Sequence, residues 1–227
     1  MSIAIIVAGG NGSRIGGETP KQFLEVGGKP IIIHCMEAFN QHDEIDSIIA
    51  VCQPEHMEFL HRHVKAYGIF KLQKVVEAGA TRQESVLNGL RAVNNKNKIV
   101  LIHDAARPLV SGKMISDNIA AVTLYGAAVT AVPAVDTMFI SQDGISAGQP
   151  LTRNGLYSAQ TPQSFRFDII MAAHLAANDA SVTDDCQLVL AAGHKVAIVQ
   201  GSELNFKVTT RSDLDKLRAL INTFCNF

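Results

Sequence analysis

Short apolar runs alternate with amphipathic stretches along most of the chain, and this alternation limits the possible fold more than any other feature. The runs "IAIIVA" at 3–8 and "IDSIIAVC" at 45–52 are almost continuously apolar, and further runs of this kind lie at 72–78, 98–104 and 126–134. Such runs are typical of parallel strands that are covered on both faces. We therefore predict an α/β fold, a doubly wound and mostly parallel Rossmann-like sheet in a single domain over residues 1–227.

Helical patterns fill the intervals between these strands. Pro30 and Pro54 each open one, and "TRQESVLNGLRAV" carries Thr81 with Glu84 three residues later, which is a capping-box pattern. After residue 165 the sequence predicts a helix to about 178, a helix that begins in "TDDCQLVLAAG", a strand "KVAIVQ" and a final helix from about Arg211. In a sheet of this kind, ligands bind at the carboxyl ends of the strands.

The composition excludes several classes of partner. Twenty Lys and Arg residues against 21 Asp and Glu give a net charge of −1, so the chain lacks the basic surplus of proteins that bind nucleic acid or anionic membranes. The apolar run at 3–8 is too short for a membrane span and lacks the basic leader of a signal peptide. The four cysteines are far apart in the sequence, which indicates a reduced, cytoplasmic setting.

One stretch interrupts the alternation. Residues 136–158 contain two short polar–apolar segments around the turns "QDG" and "GQP". This pattern predicts a β-arm that projects from the sheet. Because such an arm cannot bury a face by itself, we expect it to pack on a second subunit and to form a homodimer.

The loop after the first strand, "AGGNGSR", is followed by "TPKQF", so that Arg14 and Lys21 flank a glycine-rich turn. Glycines let backbone N–H groups line a concavity that binds anions, and the two cations suit phosphate oxygens. A dinucleotide fingerprint would need a third glycine where Ile15 stands, and a P-loop would need Gly-Lys followed by Ser or Thr. A loop that wraps a triphosphate is therefore favoured over these two and over a plain turn.

The motifs together resemble one family. G-G-x-G-x-R followed by P-K-Q is similar to the signature of sugar- and polyol-phosphate nucleotidyltransferases. The ordered blocks "GATRQESV", "IHDAARP", "DT", "RNGLYSAQTPQSF", "TDD" and "NFKVTT" resemble the 2-C-methyl-D-erythritol 4-phosphate cytidylyltransferases from residue 3 to about 220. The resemblance implies a nucleotidyltransferase fold, and CTP and a polyol phosphate as substrates.

Ribitol 5-phosphate cytidylyltransferases are the alternative within the same fold. "AGG" at 8–10 and Phe139 after "DTM" favour that alternative, whereas "HDAARP" and "LYSAQTPQ" favour the methylerythritol enzymes. A third alternative is a protein that binds the nucleotide but has lost turnover. Such a protein should have lost at least one cation of the site, whereas all five are present: Arg14, Lys21, Arg107, Arg153 and Lys207.

The resemblance also implies residue roles. Arg14 and Lys21 would stabilise the charge at the α-phosphorus, and Arg153 and Lys207 would complete the catalytic set. The nucleotide-binding residues would be Ala8, Gly9, Gly10, Gly12, Gly79, Arg82, Ser85, Asp104 and Ala105. The residues that bind the polyol phosphate would be Arg107, Thr137, Arg153, Thr161, Thr183 and Lys207, with Thr137 and Arg153 reaching a neighbouring subunit from the arm.

Several of these residues have a competing structural interpretation. Ser85 could be an ordinary helix-surface serine, Asp104 and Arg107 could form a structural pair, and Thr183 could be a helix N-cap. His103 is predicted to be a packing residue and not a base. Lys207 would be a lysine within an otherwise apolar strand, which is unusual without a functional reason.

The implied chemistry needs no general base, since a phosphate monoester with a second pKa of about 6 is largely dianionic at neutral pH. The protein must instead bring two anions into line. Mg²⁺ bound mainly through the triphosphate would assist, with Asp104 as the one candidate ligand from the protein.

Overall fold

A computed structural model gives the structure of residues 1–10, 19–94, 98–177 and 184–224. The described strands are β1 (Ser2–Ala8), β2 (Glu25–Val26), β3 (Lys29–Pro30), β4 (Ile45–Cys52), β5 (Leu72–Glu77), β6 (Ile99–Asp104), β7 (Ala127–Pro133), β8 (Tyr157–Arg166) and β9 (Ala197–Gln200). The described α-helices are α1 (Ile31–Gln41), α2 (Met57–Ala66), α3 (Arg82–Arg91), α4 (Gly112–Tyr125), α5 (Phe167–Ala176), α6 (Asp185–Ala191) and α7 (Arg211–Phe224). Short 3₁₀ turns lie at Lys21–Phe23, Pro54–His56 and Glu203–Asn205.

Seven of these strands form one sheet in the order β5-β4-β1-β6-β8-β7-β9. The pairs β1–β4, β1–β6, β4–β5 and β7–β9 are parallel, and only β8 runs antiparallel to its neighbours β6 and β7. In the register, Ala8 pairs with Cys52 and Val7 with Asp104. The loops that follow β1, β4 and β6 therefore open at one edge of the sheet, which is where the site lies.

Both faces of the sheet are covered, as the apolar runs predict. Along β1 the side chains alternate: Ile3 and Ile5 belong to one core cluster, and Ala4 and Ile6 belong to the other. Helices α3, α5 and α6 contribute to the first cluster, and α1, α2 and α4 to the second. This two-sided burial confirms the doubly wound α/β prediction.

Strand β8 was not predicted. Its sequence, "YSAQTPQSFR", is polar, yet Gln160, Thr161, Gln163 and Ser164 are all buried. Polar groups can be buried in a sheet where they find partners: for example, the Ser164 hydroxyl donates to the Asn118 side chain at 3.0 Å. A pattern search for apolar runs misses such a strand.

The segment between β7 and β8 matches the predicted arm in part. The Leu151 N–H donates to the Met138 carbonyl, and the Ile140 N–H donates to the Gln149 carbonyl, on either side of a single β-bridge between Phe139 and Pro150. Its apolar residues are exposed, with Ile145 at 91%. The segment spans 134–156 instead of 136–158, because Tyr157 and Ser158 belong to β8.

Two further local predictions are corrected. Residues 206–209, around Lys207, form no strand; they are an extended segment between a 3₁₀ turn and α7. The N-cap of α6 is Asp184, whose carboxylate accepts from the Cys186 N–H at 2.9 Å. Thr183, for which the sequence offered the capping alternative, lies outside the described residues. Within the residues described, none of the helices has the length and apolar composition that crossing a membrane requires.

Candidate functional site: a cleft at the carboxyl ends of β1 and β6

A cleft of about 490 Å³ opens beside the ends of β1, β4 and β6. It brings together residues from six separate stretches of the chain, which the sequence alone could place near each other only through the resemblance. The predicted site residues that line it are Ala8, Gly9, Gly10, Lys21, Gly79, Arg82, Ser85, Asp104, Ala105 and Lys207. The predictions for Gly12, Arg14 and Thr183 lie outside the described residues.

The floor of the cleft is the loop that follows β1. A Cβ on Gly9 would lie 2.7 Å from the Cβ of Ala78 and 3.1 Å from the Ser85 hydroxyl, so a side chain at this position would force the loop off its neighbours. Lys21 lies on the same wall, at the start of a 3₁₀ turn. The glycine loop and Lys21 thus line the same cleft, as the motif predicts.

Two glutamines that the sequence analysis did not single out hold this loop. The Gln22 amide donates to the carbonyls of Ala8 at 2.7 Å and Gly10 at 2.8 Å, and the Gln53 amide donates to the carbonyl of Gly9 at 3.0 Å. Both side chains also line the cleft. Gln22 was visible in the "PKQ" motif, whereas no local pattern marks Gln53.

The turn before α3 forms the second wall. Thr81 is the N-cap of α3 and accepts from the Glu84 N–H at 3.1 Å, while the Glu84 carboxylate accepts from the Ala80 N–H at 2.8 Å. This confirms the capping-box prediction. A Cβ on Gly79 would collide with the Cβ of Glu84, so this position also requires glycine.

Ser85 is buried, so the interpretation of it as a helix-surface serine is wrong. Its hydroxyl accepts from the Gly79 N–H at 3.0 Å and donates to the Thr81 carbonyl at 2.8 Å. The N–H groups of Gly79 and Ala80 are therefore both used inside the turn. A ligand that binds to the main chain of this turn must therefore use groups other than these two N–H donors.

Asp104, at the end of β6, is the only acidic residue among those that line the described cleft. Its carboxylate pairs with Lys207 Nζ at 2.7 Å and lies 3.5 Å from Arg82 Nε. Burial alone would raise the pKa of Asp104, but the charges of Lys207 and Arg82 outweigh burial and hold this pKa well below its usual range. Asp104 is therefore ionised at neutral pH, and it fixes two cations at the mouth of the cleft.

Arg82 joins the cleft to a buried pair behind it. Its Nη1 lies 2.8 Å from the carboxylate of Asp185, which is 1% exposed and which also lies 3.1 Å from His174 Nε2. Burial would lower the pKa of Arg82, but Asp185 and Asp104 raise it further above its ordinary value. The second Asp of "TDD" therefore holds an arginine of the second wall, a role that its helix-start pattern did not reveal.

Arg107 and Thr161 do not line the cleft. The Arg107 guanidinium donates to the Asn205 carbonyl at 2.7 Å, and burial lowers its pKa. The Thr161 hydroxyl is buried and accepts from the Asp104 N–H at 3.1 Å. A direct phosphate contact by Thr161 is thus corrected to a structural role, because its hydroxyl is already engaged beneath the β6 loop.

His103 is the packing residue that the sequence predicts, since its side chain is buried beneath this loop. Its Nε2 lies 3.0 Å from the Arg107 carbonyl and its Nδ1 lies 3.0 Å from the Thr161 hydroxyl. Because a carbonyl only accepts, Nε2 carries the proton and Nδ1 accepts from Thr161. Burial lowers the pKa of His103 to about 4, so the ring is neutral at neutral pH.

The two predicted residues of the arm lie apart from the cleft in this chain. Thr137 and Arg153 are exposed and are not among the lining residues, and the Arg153 guanidinium donates to the Val135 carbonyl at 2.7 Å. Their assignment to the site of a neighbouring subunit stays a prediction.

The described residues contain no group of three or more His, Cys, Asp or Glu side chains that could hold a metal ion. The single carboxylate of Asp104 fits a Mg²⁺ that keeps most of its ligands from phosphates and water. Both of its oxygens face cations, so it could join such an ion only as a minor ligand.

Comparisons with known proteins agree with this geometry. The family model described as "IspD: 2-C-methyl-D-erythritol 4-phosphate cytidylyltransferase" matches residues 2–223. A protein of that name from Alkaliphilus oremlandii is 40% identical over 222 residues, which cover 96% of this chain and 94% of the relative. The crystal structure of 4-diphosphocytidyl-2C-methyl-D-erythritol synthase from Anaerococcus prevotii superposes with a TM-score of 0.85 at 29% identity, covering 97% of this chain and 96% of that one. The crystal structure of the 2-C-methyl-D-erythritol 4-phosphate cytidylyltransferase from Thermus thermophilus superposes with a TM-score of 0.79 at 30% identity, covering 96% of this chain and 98% of that one.

Proposed function

The chain belongs to the 2-C-methyl-D-erythritol 4-phosphate cytidylyltransferase family, and from this premise we propose that its cleft joins CTP to 2-C-methyl-D-erythritol 4-phosphate and releases pyrophosphate. The observation that carries the proposal is the meeting of a glycine loop with Lys21, Arg82 and Lys207 in one cleft. The family match favours this acceptor over ribitol 5-phosphate.

The reaction is a displacement at phosphorus. A phosphate oxygen of the acceptor forms a bond to the α-phosphorus of CTP, and the bond to the bridging oxygen of pyrophosphate breaks. Negative charge accumulates around the α-phosphorus, where fixed cations stabilise the transition state more than the ground state. Lys21 and Lys207 both line the cleft, and Arg14 is proposed to act beside Lys21.

Asp104 sets the position of one of these cations. Its carboxylate lies 2.7 Å from Lys207 Nζ, so the ammonium group is held in the cleft beside the end of β6. No catalytic base is required, because the acceptor phosphate is largely dianionic at neutral pH. This suits a cleft whose described lining offers cations and backbone groups but no histidine.

Magnesium is proposed as the cofactor. When bound, it would neutralise part of the negative charge of the CTP phosphates. Most of its ligands would come from the triphosphate and water, and Asp104, which Lys207 and Arg82 keep ionised, would join only as a minor ligand.

A homodimer is proposed on the basis of the segment 134–156. Met138, Phe139, Ile140 and Ile145 are all exposed in a single chain, with relative accessibilities of 44, 53, 49 and 91%. Such a run of apolar residues on a projecting arm is suited to packing on a second copy. Thr137 and Arg153 would then reach the partner's cleft and bind the acceptor.

A cytoplasmic location is supported by Cys35, Cys52 and Cys186, which are buried free thiols.

The test is a pyrophosphate-release assay that crosses CTP, UTP and ATP with methylerythritol phosphate, ribitol phosphate and glycerol phosphate. The proposal expects release from CTP with methylerythritol phosphate at a kcat/KM at least tenfold above every other pair. Faster turnover with ribitol phosphate would move the assignment to the alternative acceptor. An absence of release from any pair would overturn the proposed activity.

A further inference from the structure

Three consecutive backbone carbonyls of the loop after β1 each accept a hydrogen bond from a glutamine side chain. Gln22 binds the carbonyls of Ala8 and Gly10, and Gln53 binds the carbonyl of Gly9. The two glutamines come from different parts of the chain: Gln22 lies in the 3₁₀ turn at Lys21–Phe23, and Gln53 follows β4 as the N-cap of the 3₁₀ turn at Pro54–His56. The loop is thus held from two sides at every residue between Ala8 and Gly10.

These bonds fix the direction of the donors in the loop. In a planar trans peptide the C=O and the following N–H point in opposite directions. Because the carbonyl of Ala8 points toward Gln22, the N–H of Gly9 points away from Gln22. Because the carbonyl of Gly9 points toward Gln53, the N–H of Gly10 points away from Gln53. The same bonds keep three partially negative oxygens, which would repel a phosphate, occupied by donors.

The chemistry of glutamine suits this task. The amide nitrogen has two N–H groups, and Gln22 uses both on two carbonyls. Gln22 is only 3% exposed, and a neutral amide can be buried there without the cost of an extra buried charge. The positive charge that binds phosphate is left to the adjacent Lys21.

We propose that Gln22 and Gln53 are positioning residues that hold the N–H groups of Gly9 and Gly10 toward the triphosphate. The inference rests on the proposed function, since CTP is the ligand that it concerns. It predicts that the glutamines contribute to the recognition of phosphate and not to the recognition of the nucleoside.

The test compares four variants: Gln22→Met, Gln22→Glu, Gln53→Met and the control Gln200→Met. Met keeps the approximate volume of Gln but removes the donors. Gln200 is exposed and donates only to the neighbouring Gly201 carbonyl at 3.3 Å, so its loss should change nothing. The dissociation constants of CTP and of cytidine are measured by calorimetry and by competition, with the thermal midpoint followed in parallel.

The expected result is a weakening of CTP binding by about tenfold in Gln22→Met, which loses two hydrogen bonds, and by about threefold in Gln53→Met, which loses one. Gln22→Glu should weaken it more, because a carboxylate repels both the carbonyls and the phosphates. Cytidine binding should stay within about twofold of the unsubstituted chain. The ratio of the two affinities is therefore the decisive readout.

An equal loss of CTP and cytidine affinity would overturn the inference, because it would indicate general damage to the cleft. CTP binding like that of the unsubstituted chain in both Met variants would overturn it as well. Gln53 is only partly buried and keeps the test available if Gln22 variants fold poorly. If the unsubstituted chain itself does not bind CTP, the proposed function fails first, and the inference fails with it.

Discussion

The cleft and the arm differ in how far a single chain completes them. Around the cleft, Gln22, Asp104 and Asp185 are buried and bonded to groups from other segments. Along the arm, residues 135–150 are exposed throughout. The described cleft is thus built by one chain, whereas the arm leaves its apolar residues exposed in that chain, which is the basis of the proposed dimer.

The largest expected effect tests how firmly the cleft is built. Replacing Asp185 by Ala leaves Arg82 without its buried partner, and breaking a buried ion pair in this way costs about 3–5 kcal/mol of the free energy of unfolding. Denaturant titration measures the loss. The control is Asp117→Ala on the exposed Lys113–Asp117 pair, which should cost at most about 1 kcal/mol. Equal losses in the two variants would show that the buried pair does not brace the cleft.

The next effect concerns the chemistry of the cleft. Lys21→Ala and Lys207→Ala should each lower kcat by about 10²–10³-fold, or about 2.7–4 kcal/mol, if each cation stabilises charge at the α-phosphorus as an oxyanion donor does. Steady-state kinetics with saturating CTP and acceptor measures this. Lys113→Ala, on the exposed face of α4, is the control and should leave kcat unchanged. A near-normal kcat in both cleft variants would remove these residues from the mechanism.

Arg153→Ala tests the arm. The residue is exposed and bonded only to the Val135 carbonyl in the part of the chain that the structure describes, so its loss should not change the thermal midpoint. If Arg153 binds the acceptor phosphate, kcat/KM for the acceptor should fall by about 10–100-fold, since a charged hydrogen bond contributes about 1.5–3 kcal/mol. CTP affinity should be unchanged. Arg62→Ala, on the exposed face of α2, serves as the control.

The last effect, which is the smallest when it is expressed per pH unit, is a dependence of stability on pH. His103 is buried with a pKa of about 4, below the ordinary value of 6.5, so the unfolded chain binds its proton first as the pH falls. Its contribution to stability is complete above about pH 6.5 and is lost toward pH 4, by up to about 1.4 kcal/mol per pH unit. Denaturant titrations at several pH values should show a shallower slope in His103→Gln. An unchanged slope would mean that His103 does not titrate as its burial implies.

Local patterns predicted the parts of this molecule that depend on local chemistry. Apolar runs identified six strands of the main sheet, the Thr81 capping box located α3, and the glycine loop with Lys21 located the cleft. Strand β8 was not predicted, because its polar side chains are buried and form hydrogen bonds with residues that are distant in the sequence. The bond from the Asp104 N–H to the Thr161 hydroxyl joins residues 57 positions apart, and no spacing rule reveals it.

The same reason explains which site residues were assigned a wrong or incomplete role. Thr161 and Ser85 belong to recognisable motifs, but their hydroxyls are engaged within the protein. Gln53 and Asp185 act through partners that only the fold brings near. Motif membership identified Thr161 and Ser85, whereas Gln53 belongs to no motif and the direction of each of these side chains depended on tertiary packing.

Mixing two inactive variants tests the contrast between cleft and arm most directly. Lys21→Ala damages the cleft of its own chain, and Arg153→Ala damages the arm that is proposed to serve the partner. If the arm acts across a two-fold interface, refolding an equal mixture should restore pyrophosphate release to about a quarter of the unsubstituted level, because half of the dimers are mixed and each has one intact site. Turnover no higher than the mean of the two separate variants would contradict the account and place cleft and arm in the same subunit.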